Sequence, residues 1–142
     1  MPSPAPDTDQ LIHDETGTQR LIGYVVDVSD RAHGRCHLQV TEQHLNRHGV
    51  LHGGIATTVL DSALGTTGSL SVDASGRAPF LTISLTTQFV GPGRPGRVTA
   101  TGTITGGGRS LLYITGVLEH EDGTLIATAT GVFKRVPQEK LT

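Results

Sequence analysis

Asp61 stands in a mostly apolar run, Ile55-Ala-Thr-Thr-Val-Leu-Asp61-Ser-Ala-Leu-Gly65. Asp is a poor residue for a helix interior, and a buried carboxylate is costly to hold. A carboxylate kept in such a place is suited to general acid–base or nucleophilic work. The plainer alternative is an Asp on the polar edge of a helix or paired with an arginine. Upstream lies Asn46-Arg-His48-Gly49-Val-Leu-His52-Gly53-Gly54. If a helix begins at the glycine pair, its first amides are unpaired and its positive dipole end faces outward. Without side chains, Gly53 and Gly54 let a ligand oxygen approach those amides closely. One such donor to a developing oxyanion is typically worth ~10²–10³ in rate. The same pair would equally let a helix start tightly against another backbone.

Other chemistries find less support. His44, His48 and His52 recur every four residues, as metal ligands on one helix face would. Gly49 and the turn-forming Asn46 interrupt any such helix, and no His-Glu-x-x-His pattern is present. A Gly-x-Ser-x-Gly nucleophile turn is absent, as are a P-loop and a dinucleotide fingerprint. No metal or redox cofactor is expected.

These residues need elements to hold them. Ile55, Val59, Leu60, Ala63 and Leu64 recur at helical spacing and predict a helix over residues 53 to 70. Its several Thr and Gly residues give it little intrinsic preference, so burial must hold it. Before it, residues 10 to 20 could hold a short helix, residues 21 to 28 read as a strand, and Cys36, Leu38 and Val40 alternate in a second. After the Ser75-Gly76 break the period becomes two. Leu81, Ile83, Leu85 and Phe89 are expected on one face, with Thr82, Ser84, Thr86 and Gln88 on the other. Gly91-Pro-Gly93, Gly106-Gly-Gly108 and Asp122-Gly123 separate three further strands, the last pair a hairpin signal. Leu111 to Leu118 is apolar on both faces, as a strand covered on both sides would be. The order is two strands, one buried helix and four strands in a meander. A lone apolar helix must lie against the sheet, which gives an α+β chain with an antiparallel sheet wrapped around a central helix.

The 142 residues suggest one domain, with residues 1–9 a flexible Pro-rich tail and residues 10–142 the folded unit. Eleven Lys and Arg against 13 Asp and Glu leave no basic field for nucleic acid and no polybasic membrane patch. The N-terminal residues do not read as a signal peptide, no apolar run approaches a membrane span, and Cys36 is a lone cysteine. A cytoplasmic location is expected.

The combined segment, Asn46, Gly49, His52-Gly53-Gly54 and Asp61 nine residues after the His, resembles the signature of the PaaI-like acyl-CoA thioesterases. These are the phenylacetate-pathway type within the hotdog superfamily. The Leu-Asp-Ser-Ala-Leu-Gly run around Asp61 fits the same style, and the resemblance covers roughly residues 20 to 135. It implies a hotdog fold and hydrolysis of an acyl-CoA. Asp61 would be the catalytic carboxylate and Gly53 the oxyanion donor, with Asn46, His52 and Thr82 orienting thioester and water. Turn formation would account for Asn46 without catalysis, helix N-terminal packing for His52, and a surface strand position for Thr82. Gly54, Arg109 and Ser110 are further binding candidates, Arg109-Ser110 because it resembles the loop that meets the nucleotide end of coenzyme A. Arg77, Arg94 and Arg97 are other phosphate candidates. Gly91 departs from the pattern, since relatives often have a basic residue there.

Gly53 and Asp61 are eight residues apart, ~12 Å along a helix. One carbonyl cannot readily touch both from a single chain, so Gly53 of one subunit should meet Asp61 of another. The expected partners are therefore an acyl-CoA and a second copy of the chain, as a homodimer or tetramer. The alternatives are a non-catalytic acyl-CoA-binding hotdog protein and a hotdog hydratase or dehydratase.

Overall fold

A computed structural model describes residues 8–137. Thr8–Gln10 forms a 3-10 turn; residues 1–7 of the expected tail and residues 138–142 of the expected domain lie outside the described residues. The elements are β1 (Leu11–Ile12), α1 (Gly17–Ile22), β2 (Val25–Asp27), β3 (Arg35–Val40), α2 (Gly53–Leu70), β4 (Phe80–Phe89), β5 (Gly96–Gly107), β6 (Leu111–His120) and β7 (Leu125–Arg135). All seven strands form one antiparallel sheet, ordered β1-β2-β3-β5-β6-β7-β4.

The helix over residues 53 to 70 lies where its spacing predicts. Val59, Leu60, Ala63 and Leu64 are wholly buried against Leu38, Val98, Ile114, Leu118 and Phe133 of the sheet. Its hydroxyl residues would be costly in such a place if unpaired. They bond back one turn instead: Thr57 to Gly53 O, Thr66 to Ser62 O, Thr67 to Ala63 O and Ser69 to Gly65 O. The sheet comes close enough to need glycine. A Cβ on Gly34 would stand 2.5 Å from Thr67 N and 2.8 Å from Ala63 O, and one on Gly116 would stand 2.3 Å from Leu64 Cδ1.

Four expectations change. The strand over residues 21 to 28 is shorter, because Leu21 and Ile22 close α1. Thr16 Oγ1 accepts from Gln19 N–H to cap that helix, and Gly23 ends it at φ 95°. The last four strands are not a simple meander: β5-β6-β7 is one, but β4 pairs with β7 at the sheet edge while β5 pairs with β3. A register shift between Thr82 and Ser84 puts a bulge at Ile83. Thr82 therefore shares the helix-facing side with Leu85, paired as they are with Phe133 and Gly131, and Ser84 and Thr86 turn to the outer face. The two faces read from strict alternation do not hold across that bulge. Finally, among the described residues β6 is covered on one side only: Ile114 and Leu118 are buried, while Tyr113 is 48% exposed.

Candidate active site

Asp61 sits midway along α2, half-buried, and β4 lies beside it. Because the bulge turns Thr82 toward the helix, its Oγ1 donates to Asp61 Oδ1 at 2.7 Å. The two residues share the wall of a cavity of about 670 Å³. Phe80 and Phe133 form part of that wall, and Tyr24, Ser62, Arg77 and Gly65 continue it. Arg77 Nε donates to Glu15 Oε2 at 2.7 Å, pairing two exposed side chains that also line the cavity. A carboxylate oriented by a hydroxyl, on a cavity large enough for a small acyl group, is an arrangement suited to activating a water or attacking a carbonyl.

The glycine pair and its neighbours form a second group at the start of α2. His52 is the N-cap, and its Nδ1 accepts from Gly54 N–H at 2.9 Å. That uses the Gly54 amide internally and leaves the Gly53 amide unclaimed by any described residue. The ring of exposed Phe89 lies over Gly53, 3.3 Å from where a Cβ would be. Asn46 shapes the loop leading into the helix: its Oδ1 accepts from His48 N–H at 2.9 Å and Val50 N–H at 3.3 Å. Its backbone N–H bonds Val50 O. Turn formation thus accounts for the carboxamide oxygen of Asn46, and capping for one ring nitrogen of His52.

The structure brings Asp61 and Thr82 together, and separately Asn46, His52, Gly53 and Gly54. It does not bring the two groups together within one chain, since two turns of α2 separate them. Arg109 and Ser110 lie exposed in the β5–β6 turn, where Ser110 O accepts from Arg135 N–H beside the Phe80 end of β4. That places them toward the end of the sheet that Thr82 occupies and away from Phe89 and Gly53. Arg94 is exposed, and Arg97 lines a separate cavity of about 260 Å³ with His13 and His37.

The three spaced histidines point to different tasks. Buried His44 meets Ile22 O through Nε2 at 2.7 Å and accepts from Thr41 N–H at Nδ1; His48 is exposed, and His52 caps α2. Among the described residues, no group of three His, Cys, Asp or Glu side chains could hold a metal ion.

Two polar groups had no signal in the sequence. Asp27, 4% exposed, meets His37 Nε2 at 2.8 Å and accepts from Ser29 N–H and Oγ, while His37 Nδ1 meets Thr99 Oγ1 at 2.8 Å. Burial pushes the Asp27 carboxyl up, but the bonds from His37 and Ser29 outweigh it and hold it at about 2. The second is Tyr24 with Ser62, whose hydroxyls meet at 3.0 Å across the cavity wall. Cross-strand register and the packing of α2 create both, so only a known pairing could have revealed them.

Comparison with known proteins adds the following. A family model described as the thioesterase superfamily matches residues 48–127. The Escherichia coli PaaI protein from the phenylacetic acid degradation operon is similar in structure, with TM-score 0.76 and 21% identity over 87% of each chain. A Haemophilus influenzae thioesterase gives 0.77 at 18% identity, covering 86% of this chain and 84% of that one. A conserved Pseudomonas aeruginosa protein gives 0.77 at 22% identity, covering 92% of this chain and all of that one. At these identities the three share the fold, the antiparallel sheet around one long helix. No curated protein matches the sequence. Among the described residues, no helix is long and apolar enough to cross a membrane.

Proposed function

The chain belongs to the thioesterase superfamily, and from that premise we propose that it hydrolyses an aryl- or short- to medium-chain acyl-coenzyme A to the free acid and coenzyme A. The observation that carries this reading is the 2.7 Å bond from Thr82 Oγ1 to Asp61 Oδ1 on the wall of the 670 Å³ cavity. Asp61 either deprotonates a water that adds to the thioester carbonyl or adds to it directly, giving an anhydride that water then opens. In both routes the C–S bond breaks and the coenzyme leaves as a thiolate, which takes up a proton. The Gly53 amide, at the positive end of α2, would receive the charge that grows on the carbonyl oxygen. No metal or redox cofactor enters this scheme.

With ~12 Å of helix between Gly53 and Asp61, the working site takes Gly53 from one protomer and Asp61 from another. The sheet edge supports such pairing. β4 bonds only β7 among the described residues, and Leu81, Ile83 and Phe89 stand 50–58% exposed along it. An apolar, unpaired edge strand is a surface that a second copy would cover. Arg109, on the exposed β5–β6 turn, would meet a phosphate of the coenzyme.

The deciding experiment measures thiol release from a panel of aryl- and alkyl-CoA esters by the wild type and by Asp61→Asn. Turnover by the wild type with a loss of ~10²-fold or more in the variant supports the reading. Equal rates in both would move the chemistry away from Asp61. Binding of a CoA ester without turnover would indicate a binding protein instead, and an enoyl product a hydratase or dehydratase. Sedimentation of an active, stable monomer would refute the shared site.

A further inference from the structure

Most polar groups on the wall of the Asp61 cavity are already spent on the protein. Gln19 donates through Nε2 to Ile12 O and accepts at Oε1 from Glu15 N–H. Thr66 donates to Ser62 O, and Ser69 to Gly65 O and Ala78 O. Arg77 is paired with Glu15.

Tyr24 and Ser62 are different. Tyr24 is only 7% exposed, its ring belongs to the main core, and both residues line the cavity. Their hydroxyls make one bond to each other, 3.0 Å long, and none to any other described residue. Two hydroxyls that share one bond have one hydrogen left over, whichever of them donates. Ser62 directly follows Asp61 on α2, so this unspent donor belongs to the same wall as the carboxylate.

We propose that the Tyr24–Ser62 pair is a specificity device, selecting acyl groups that are compact and carry a hydroxyl or keto oxygen over plain alkyl chains. This deepens the thioesterase reading and rests on it. A plain alkyl group seated against the pair would close it off from water with a hydrogen unmet. A buried donor left unpaired carries its full desolvation cost, and a site built to hydrogen-bond a substrate group discriminates strongly against an analogue that lacks it. An acyl oxygen at the right position accepts that hydrogen and removes the cost. The many polar residues of the wall also set it apart from the apolar lining that a long chain would need.

The test compares matched CoA esters: butanoyl and hexanoyl, each against its chain-hydroxylated forms with the hydroxyl moved along the chain, and dodecanoyl. The wild type should show at least a tenfold higher kcat/KM for one hydroxylated ester than for its parent, and a low value for dodecanoyl. Because Ser62 Oγ donates to the Tyr24 hydroxyl, the spare hydrogen is that of Tyr24, so in Tyr24→Phe and in the double variant Tyr24→Phe/Ser62→Ala that ratio should fall toward one. Thermal melting of each variant shows that it is folded. Wild-type ratios near one for every pair, or ratios unmoved in both variants, would overturn the proposal. If no ester is turned over, the hydrolase reading fails, and Kd values for non-hydrolysable thioether analogues of the same pairs decide this one. Tighter binding of a hydroxylated analogue, lost in Tyr24→Phe, supports it; equal Kd values within every pair refute it.

Discussion

Thr82 Oγ1 donates to Asp61 Oδ1 at 2.7 Å because a bulge at Ile83 turns Thr82 toward the helix. Removing that donor should weaken catalysis while leaving the fold intact, since Thr82 is exposed and its strand is at the sheet edge. In Thr82→Val we expect kcat for thioester hydrolysis to fall about tenfold with a smaller change in KM, and Thr82→Ser to recover most of it. Steady-state kinetics on the best ester checks this. Unchanged kcat in the valine variant would remove Thr82 from the chemistry.

The cap on α2 gives a stability prediction separate from activity. His52 Nδ1 satisfies the Gly54 amide, one of the helix's unpaired starting donors. His52→Ala should cost about 1 kcal/mol, which in a chain of this size lowers Tm by roughly 2–4 °C. His52→Asn, which restores a side-chain acceptor, should recover part of it. Calorimetry on the three proteins gives the answer, and equal melting temperatures would mean the cap contributes nothing.

At Gly34 the chain packs directly against the backbone of α2. A Cβ there would stand 2.5 Å from Thr67 N, 2.8 Å from Ala63 O and 2.9 Å from Thr66 C, all of them helix backbone atoms that cannot swing aside. Gly34 N–H also donates to Thr67 Oγ1 at 3.0 Å. Gly34→Ala should therefore destabilise by more than about 2 kcal/mol, as overpacking does. Urea unfolding would show it as a lower midpoint, and an unchanged midpoint would mean that the contact relaxes at little cost.

Asp27 ties stability to acid pH. Its folded pKa of about 2 lies below the ordinary 3.8 because the bonds from His37 and Ser29 outweigh burial. A depressed carboxyl contributes stability that is present in full above the unfolded value and lost as pH falls toward the folded one. The shift from 3.8 to about 2 corresponds to roughly 2 kcal/mol lost across that interval. Unfolding free energies measured from pH 5 to pH 2 should fall more steeply in the wild type than in Asp27→Asn. Parallel curves would show that the pair is not formed in solution.

The bounds of α2 were legible because one face of apolar residues at helical spacing must be buried, and the Ser75-Gly76, Asp122-Gly123 and triple-glycine breaks were legible because turns demand particular backbone angles. Gly76, Gly107 and Gly123 indeed sit at φ 68°, 119° and 93°. Less was visible around the candidate site. Asp61 stood out as a carboxylate in an apolar helix; Thr82 was a candidate through the family resemblance alone, since alternation put it on the polar face of its strand. Strict alternation cannot show a bulge, and one extra residue reverses the face of everything beyond it. A short helix was expected over residues 10 to 20, but the bounds of α1, Gly17–Ile22, were not legible: six residues carry too few turns to show a period, and Thr16 and Gly23 define it through capping geometry.

By itself, the sequence determined which stretches must be buried and where the chain must turn, since spacing and side-chain type settle both locally. It also marked the helix start and the carboxylate, because two adjacent glycines and a lone Asp in an apolar run are visible without any partner. Only the tertiary structure decided the strand order, with β4 carried to the edge beside β7. Only it decided what Asp61 touches, and that Tyr24 would meet Ser62 across 38 residues and His37 would meet Asp27 and Thr99. Such contacts depend on strand register and on the rotation of α2 against the sheet, which are set by packing of the whole core and leave no mark at the residues themselves.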